Sequence, residues 1–353
     1  MAVCSGGSMV LTLLLSLTVA VSASNWPQWR GTDMNGISTA SDLPTEWSAE
    51  RNVAWKVALP AWSGGTPVIH GDWVFLTSPS APDPEPEVRE PEPEDAGRGR
   101  RRRGQRRNPG GQDLLLIALS RKDGSEQWRR VVDTGNQLHR KQNNTSPSPV
   151  TDGKHVWVVT GTGQVSAYTV QGKQLWTLNL QKTYGDFGFN WGYASSPLLY
   201  KDRLVIQILH GMHTDLPSYV AAYDKMTGRR LWHVVRPTEA RNESPDAYTT
   251  PVVLTVDGKD VIVVSGADNV TGHDPATGRE VWRSGGMNPE DNGAYRIVGS
   301  PVVADGVVYA TSRKKPILAL RGGGSGDVTT SHLLWKYEGP GAPDVPSSVT
   351  DGT

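Results

Sequence analysis

The chain has 353 residues, and its 36 basic and 36 acidic side chains leave no net charge at neutral pH. A balanced charge provides no global field for nucleic acid or for an anionic membrane surface, so a nucleic-acid partner is not expected. The 39 glycines, 25 prolines and 13 tryptophans are typical of many short strands joined by turns. A chain of this length exceeds one ordinary compact domain unless it is built of repeats.

Residues 1–23 are predicted to be a secretory signal peptide. An apolar run over residues 11–21 ends in Val21-Ser22-Ala23, a small-residue site of the kind that signal peptidase cuts. The run is short for a bilayer span, so no transmembrane segment is expected in the mature chain. An uncleaved anchor is the alternative, because no Lys or Arg precedes the run. The sequence therefore predicts a periplasmic or extracellular protein.

The single cysteine, Cys4, would be removed together with the signal peptide. The mature chain would then have no thiol. This excludes disulfides, cysteine nucleophiles and cysteine-ligated metal sites from its chemistry.

Residues 24–51 are predicted to be an N-terminal lead-in and residues 52–353 a repeat domain, within which residues 52–57 match the last strand of a repeat. Residues 80–113 interrupt the first repeat with an acidic, proline-rich half followed by an arginine-rich half. This insertion has too little apolar surface to offset the entropy of ordering, so we expect a disordered surface loop. A polyanion-binding tail is the alternative.

A Ser-Pro or Thr-Pro pair, here called the opener, recurs about every 50 residues once the insertion is set aside. An apolar strand, a turn, two more strands and a fourth strand that begins with tryptophan follow each opener. Four short strands per unit at this period predict the blades of a β-propeller. The opener residues are Thr66, Ser148, Ser196, Thr250 and Ser300, with Ser347 as a sixth copy in which Ser replaces Pro.

The turn before the fourth strand carries the phrase Asp-x-x-Thr-Gly-x-x-x-Trp in its two most complete copies. We expect the Asp to accept turn amide hydrogens, the Gly to adopt a positive φ and the Trp to wedge between neighbouring blades. A position that recurs in every blade favours a structural role over a catalytic one. The residues assigned this role are Trp128, Trp176, Trp232, Trp282 and Trp335, with Asp224, Gly228, Asp274 and Gly278 in the turns.

These units predict an all-β protein with about five whole four-stranded antiparallel blades. The last residues, 349–352, repeat residues 150–153, where a second strand is about to begin. The propeller is therefore expected to be incomplete at the C-terminus. A fragment or truncated chain is favoured over an open ring.

The phrase A-x-D-x-x-T-G-x-x-x-W, together with the openers, resembles the pyrroloquinoline-quinone (PQQ) type of β-propeller repeat. The segments N-W-P-Q-W-R-G (25–31) and L-P-T-E-W-S (43–48) are similar to the usual beginning of secreted bacterial proteins built only of such repeats. The resemblance covers residues 25–353 apart from the insertion, and it implies eight blades in an intact chain. The same architecture occurs in BamB, the lipoprotein subunit of the outer-membrane barrel-assembly machinery, and in quinoprotein alcohol dehydrogenases.

The resemblance also makes a PQQ-dependent oxidoreductase of the alcohol dehydrogenase type an alternative, with PQQ and calcium as cofactors. In those enzymes the pattern includes a vicinal cysteine pair above the quinone, a stacking tryptophan below it, and acid and amide calcium ligands beside a catalytic aspartate. Here the cysteine pair is missing. The only candidates are Trp191 as the tryptophan that stacks below the quinone and Asp246 or Asp268 as the catalytic base. No cofactor and no catalytic residue are therefore assigned.

Histidine offers one further metal candidate, because His210, His213 and Asp215 lie in one short loop. A loop lacks the helical i, i+4 spacing that makes paired histidines a strong metal signal. A polar loop is favoured. His139, in the basic stretch 139–141, is expected to be solvated.

The loops that precede the openers are less repetitive than the rest of each unit. They lie at the rim where propellers usually place ligand contacts. Their mixture of aromatic, amide and charged side chains is typical of a binding surface, although plugging the channel mouth would account for them too. The candidate rim residues are Trp62, Asn144, Asn190, Trp191, Tyr193, Asp246, Tyr248, Tyr295 and Arg296.

Together these features favour a non-catalytic, exported β-propeller that binds or scaffolds another envelope or secreted protein through a peptide or loop. The quinoprotein oxidoreductase is one alternative. An extracellular glycan-binding module is the other.

Overall fold

The computed structural model describes residues 24–41, 43–82, 110–140 and 142–350. The predicted signal peptide lies outside the described residues, as do residues 83–109 of the predicted insertion. At the base of that insertion, the Ser80 amide donates to the Asp113 carbonyl at 2.8 Å.

The described chain is all-β and consists of consecutive four-stranded antiparallel sheets, which confirms the predicted propeller class. Blade 1 contains β1 (Val68–His70), β2 (Trp73–Pro79), β3 (Asp113–Ser120) and β4 (Glu126–Thr134). Blade 2 contains β7 (Val150–Thr151), β8 (His155–Val159), β9 (Gln164–Thr169) and β10 (Gln174–Asn179). Blade 3 contains β11 (Leu198–Tyr200), β12 (Arg203–Ile208), β13 (Tyr219–Asp224) and β14 (Arg230–Val235). Blade 4 contains β15 (Val252–Val256), β16 (Lys259–Gly266), β17 (Asn269–His273) and β18 (Glu280–Ser284). Blade 5 contains β19 (Val302–Ala304), β20 (Val307–Thr311), β21 (Ile317–Arg321) and β23 (Leu333–Tyr337).

Three short elements stand outside this scheme. A two-stranded hairpin of β5 (Leu138–His139) and β6 (Gln142–Asn143) lies between blades 1 and 2, and the helix α1 (Leu180–Tyr184) follows blade 2. The strand β22 (Gly326–Asp327) pairs in parallel with β18 and so extends the outer edge of blade 4. No helix in the described part of the chain is both long and apolar enough to cross a membrane.

Apolar side chains of the two middle strands form the cores between the blades. Each middle strand is buried on both faces, as in β12, where Leu204, Val205 and Ile206 are all inaccessible to solvent. The largest buried cluster joins blades 3, 4 and 5, and a second cluster joins blades 2 and 3. The blades therefore stabilise one another through face-to-face packing.

A chain of hydrogen bonds between blades explains why each repeat begins with Ser or Thr. The Ser148 amide donates to the Ser196 hydroxyl at 3.0 Å, and the Ser196 amide donates to the Thr250 hydroxyl at 3.1 Å. Each hydroxyl thus accepts the amide of the previous opener. The remaining bonds run from Thr66 to Ser148 at 2.9 Å, from Thr250 to Ser300 at 2.8 Å and from Ser300 to Ser347 at 2.9 Å.

The tryptophan of the fourth strand contacts the next blade at the outer end of the interface. The Trp176 indole N–H donates to the Lys225 carbonyl at 2.9 Å, and its ring covers Gly228. Gly228 has a φ of 70°, and a Cβ there would lie 2.7 Å from the Trp176 ring, so both backbone strain and lack of space favour glycine. Trp128 over Gly172 and Trp232 over Gly278 repeat this arrangement.

The aspartate of the phrase organises the turn that each tryptophan covers. Asp224 accepts the amides of Met226 at 3.0 Å and Thr227 at 2.8 Å, and Asp274 accepts two amides of its own turn in the same way. The carboxylate therefore replaces the backbone acceptors that a tight turn lacks.

Two tryptophans, Trp282 and Trp335, depart from this rule, and Trp55 follows it without lying in a strand. Residues 52–57 form no strand, yet Trp55 donates to the Arg121 carbonyl at 2.9 Å and covers Gly124. Trp282 is buried, but its N–H has no partner among the described residues, because the equivalent turn of blade 5 is elongated and contains β22. Trp335 remains 48% exposed.

Removing one opener hydroxyl should destabilise the fold measurably. In Ser196→Ala the buried Ser148 amide loses its acceptor, so we expect the free energy of unfolding in urea to fall by about 1–3 kcal/mol. The exposed Ser331→Ala variant is the control and should change it by less than about 0.5 kcal/mol. Equal effects in the two variants would contradict a structural role for the opener bonds.

The tryptophan contact can be tested with two members of the same repeat position. Trp232→Ala should lower the free energy of unfolding by about 3–5 kcal/mol, because it leaves a cavity over Gly278 and removes the bond to Pro275. Trp335→Ala, in which the side chain is already half exposed, should cost less than half of that amount. Denaturant unfolding monitored by circular dichroism checks the difference, and equal losses would count against the wedge.

Candidate functional site

The loops that precede the openers surround two adjoining cavities at one end of the inner strands. The central cavity has a volume of about 380 Å³ and is lined by the opener residues Ser148, Ser196, Thr250, Ser300 and Ser347, among others. The mouth pocket, of about 360 Å³, is lined by His139, Arg140, Gln142, Trp191, Tyr248, Arg296, Val298 and Val345. Gln142, Tyr248, Val298 and Val345 line both, so the mouth pocket leads to the central cavity.

Asp246 fixes two of the surrounding loops. Its carboxylate accepts the backbone amides of Asn190 at 2.7 Å, Gly211 at 2.9 Å and Met212 at 3.1 Å, and its side chain is fully buried. Burial raises the pKa of Asp246 to about 6; the negative charge of Glu243 adds to this shift, and the three amides partly oppose it. The residue therefore ties the loop after α1 to the loop that follows β12.

Glu243 fixes the side chains that face the mouth. It accepts the Trp191 indole N–H at 2.8 Å and the Asn190 side-chain amide at 3.1 Å, and it lies 3.6 Å from the Arg296 guanidinium. The Trp191 backbone amide donates to the Tyr248 hydroxyl at 3.2 Å. The aromatic ring of Trp191 is thus held in one orientation from two sides.

The β5–β6 hairpin approaches the same tryptophan from blade 1. The guanidinium carbon of Arg140 lies 5.6 Å from the centroid of the Trp191 ring, and Gln142 donates to the carbonyls of Trp191 and Gly192. His139 packs against Gly192, and its partial burial lowers its pKa. His139 is therefore only partly exposed to solvent.

Five of the predicted rim residues are brought together here: Asn190, Trp191, Asp246, Tyr248 and Arg296. The other four are placed elsewhere. Asn144 is buried and donates to the Gly135 carbonyl at 2.8 Å, and Tyr295 is buried and donates to the Lys315 carbonyl at 2.8 Å. Tyr193 packs among Phe187 and Phe189. Trp62 is 37% exposed, and its carbonyl accepts the Asn143 side-chain amide.

Four residues of the site were missed in the sequence: Glu243, His139, Arg140 and Gln142. Glu243 had a local signal, because it lies three positions before Asp246 in the same irregular loop. The hairpin residues had none, since their position depends on how the loop between blades 1 and 2 folds back. No repeat-based alignment predicts that path.

The two carboxylates that the sequence suggested for quinone chemistry both hold loop groups. Both oxygens of Asp246 already accept backbone amides, and Asp268 accepts the Ser244 hydroxyl at 2.6 Å and the Asn288 amide at 3.2 Å. In the part of the chain that the structure covers, no cluster of three or more His, Cys, Asp or Glu could hold a metal ion. His210 accepts the Gly188 amide through Nδ1 at 3.0 Å instead of turning toward His213.

Comparison with known proteins agrees with this architecture. The model of a family described as outer membrane protein assembly factor BamB matches residues 112–352. No curated protein matches the chain in sequence.

Two solved structures of dehydrogenases share the fold at low sequence identity. Quinohemoprotein alcohol dehydrogenase ADHIIG from Pseudomonas putida HK5 is similar with a TM-score of 0.56 and 15% identity, over 89% of this chain and 48% of that one. The quinohemoprotein alcohol dehydrogenase from Comamonas testosteroni has a TM-score of 0.54 and 13% identity, over 85% and 48%. BamB from Moraxella catarrhalis has a TM-score of 0.42 and 16% identity, over 65% and 62%. The chain spans about half the length of the dehydrogenases that it matches.

The buried carboxyl of Asp246 should make stability depend on pH. Its pKa of about 6 in the folded chain exceeds the value of about 4 in an unfolded one. The protonated form therefore favours folding, and this contribution is complete below about pH 4 and is lost as the pH rises through about 6. Relative to Asp246→Asn, the wild-type free energy of unfolding should fall by about 2–3 kcal/mol between pH 4 and pH 7. Urea titrations at each pH check this, with Asp215→Asn as the charge-matched control. A difference that does not vary with pH would contradict the assignment.

Proposed function

This chain belongs to the outer membrane protein assembly factor BamB family, and we propose that it is a non-catalytic, exported β-propeller that binds a segment of another protein at the mouth pocket. The observation that carries the proposal is the fixed Trp191 beside an open pocket. Glu243 holds its indole N–H, Tyr248 holds its backbone amide, and Arg140 lies over its ring.

The chemistry of the mouth supports a protein partner. Trp, Tyr and Arg dominate the residues that contribute most to protein–protein binding, and all three line this pocket. An anchor that is already held in place loses little conformational freedom when a partner binds. Irregular loops on a rigid scaffold are also where binding residues are concentrated.

An oxidoreductase receives less support from the same residues. A quinoprotein needs an available carboxylate as a base and further oxygen ligands for calcium, whereas Asp246 and Asp268 both hold loops together. Both carboxylates thus already have a structural role in the loops. A glycan receives less support as well, because Arg140 lies over a face of Trp191 on which a sugar ring would stack.

A photo-crosslinker tests the proposed binding site directly. We expect benzoylphenylalanine at position 191 of the full-length chain to crosslink one discrete envelope protein, identified by mass spectrometry, when expressed in its native host. The same group at position 226, on the exposed turn between β13 and β14, is the control and should not capture that protein. Equal capture at both positions, or none at 191, would contradict a partner at the mouth.

The enzymatic alternative is checked on the same purified protein. PQQ and Ca²⁺ are added, and the absorption spectrum and alcohol-dependent dye reduction are recorded. We expect neither a bound-quinone band nor dye reduction. Dye reduction would overturn the non-catalytic proposal.

A further inference from the structure

The two cavities carry a charge that the chain as a whole does not. The described residues of their lining include three arginines, Arg30, Arg140 and Arg296, and no aspartate or glutamate. The whole chain is neutral, so these cations are a local excess, offset in part at Arg296 by Glu243, which lies 3.6 Å away. Cations that converge on a concave surface attract an anion more strongly than the same cations on an open surface.

Arg30 reaches the central cavity from the N-terminal lead-in. Its guanidinium donates to the carbonyl oxygens of Asn35, at 2.8 Å, and Ser348, and lies 5.4 Å from the centroid of the Trp29 ring. These neutral partners fix the position of the charge without cancelling it. No carboxylate of the described residues pairs with Arg30.

The lead-in holds Arg30 in place by crossing the inner strands. Trp26 exchanges two backbone hydrogen bonds of 2.8 Å with Ile69 in blade 1, and the Pro27 carbonyl accepts the Thr151 amide at 2.8 Å in blade 2. Arg30 is therefore part of a fixed segment rather than a free surface side chain.

At the mouth, Arg140 and Arg296 differ in how free they are to pair with a carboxylate of a ligand. Arg296 lies 3.6 Å from Glu243, which is too long for a close hydrogen bond, and Glu243 already accepts two N–H groups. Arg140 is exposed, stacks over Trp191 and pairs with no described carboxylate. An incoming carboxylate would find Arg140 without a competing partner.

The opener hydroxyls extend this pattern into the cavity. Each of Ser148, Ser196, Thr250, Ser300 and Ser347 accepts a backbone amide through its oxygen. The hydroxyl hydrogen of each has no acceptor among the described residues. A hydroxyl that already accepts one hydrogen bond still has its own proton to donate. The cavity wall therefore offers mainly donors and positive charge.

We propose that the mouth pocket and central cavity bind an acidic, extended peptide segment. Carboxylates of that segment pair with Arg140 and Arg296 at the mouth, and the next residues reach the opener hydroxyls and Arg30. Two adjoining cavities of about 360 and 380 Å³ accommodate a few side chains rather than a folded domain. This inference rests on the proposed function and specifies the partner's chemistry.

Fluorescence anisotropy with a fluorescein-labelled hexaglutamate peptide tests the inference on the full-length chain. We expect saturable binding that weakens with added salt, and no binding of the hexaglutamine peptide, since screening acts on the charge pairs alone. Arg140→Gln should weaken binding about three- to fivefold, as expected for an exposed charge pair. Arg140 makes no ion pair, so this variant should fold normally.

The matched control is Arg229→Gln, which removes one exposed arginine from the outer turn of blade 3. It should leave hexaglutamate binding unchanged. If it weakened binding as much as Arg140→Gln does, the attraction would be a general charge effect and the inference would fall. Equal binding of inorganic polyphosphate at the same charge would overturn the peptide assignment as well.

The same experiment separates this inference from the proposed function. If the protein crosslinked at position 191 were still captured from Arg140→Gln, and hexaglutamate did not compete, the partner would bind without acidic recognition. The inference would then be wrong and the proposed function would stand. If hexaglutamate bound but no protein crosslinked, the proposed function would fail instead.

Discussion

The hydrogen bond from each opener amide to the next opener hydroxyl is the contact on which the rest of the architecture depends. It joins neighbouring blades at the inner end of their interface, while the tryptophan over the turn glycine joins them at the outer end. Between blades 1 and 2, 2 and 3, and 3 and 4, both contacts are present, and they hold the interface at opposite ends. The loops that precede the openers begin and end on these fixed points, so their side chains converge.

The same hydrogen bond determines which polar atoms line the cavity. Because an opener hydroxyl uses its oxygen to accept an amide, it presents its hydrogen to the cavity that it lines. The acids nearby serve the loops in a similar way, since Asp246 and Glu243 accept N–H groups from the loop that carries Trp191. The opener oxygens and these carboxylates thus accept hydrogen bonds from the protein itself. The opener hydroxyl hydrogens and the arginines remain available to a ligand in the cavity.

The fold could be predicted because the sequence repeats, whereas the site could be predicted only in part because its loops do not. The openers and the tryptophans recur at a fixed period, so five blades and the convergence of Asn190, Trp191, Asp246, Tyr248 and Arg296 follow from alignment of the repeats. The direction of a loop side chain, into the cavity or into the core, is not the same from one repeat to the next. Alignment of the repeats therefore could not show that Tyr193 and Tyr295 are buried. Arg30 and Ser348 are far apart in the sequence, and no local pattern could have joined them.

The phrase G-H-D-P-A-T-G-R-E-V-W shows how a fold signature can be mistaken for a cofactor signature. Its aspartate closes a turn, its glycine leaves room for the indole of the preceding blade, and both needs arise from packing alone. Because packing alone explains the phrase, it gives no information about a cofactor, and the dehydrogenases that share this fold do so at 15% identity or less. The loops at the mouth, unlike the phrase, differ from blade to blade. There Asp246 uses both carboxylate oxygens to hold backbone amides of two loops. Evidence about the function of this chain therefore lies in its loops and not in its repeats.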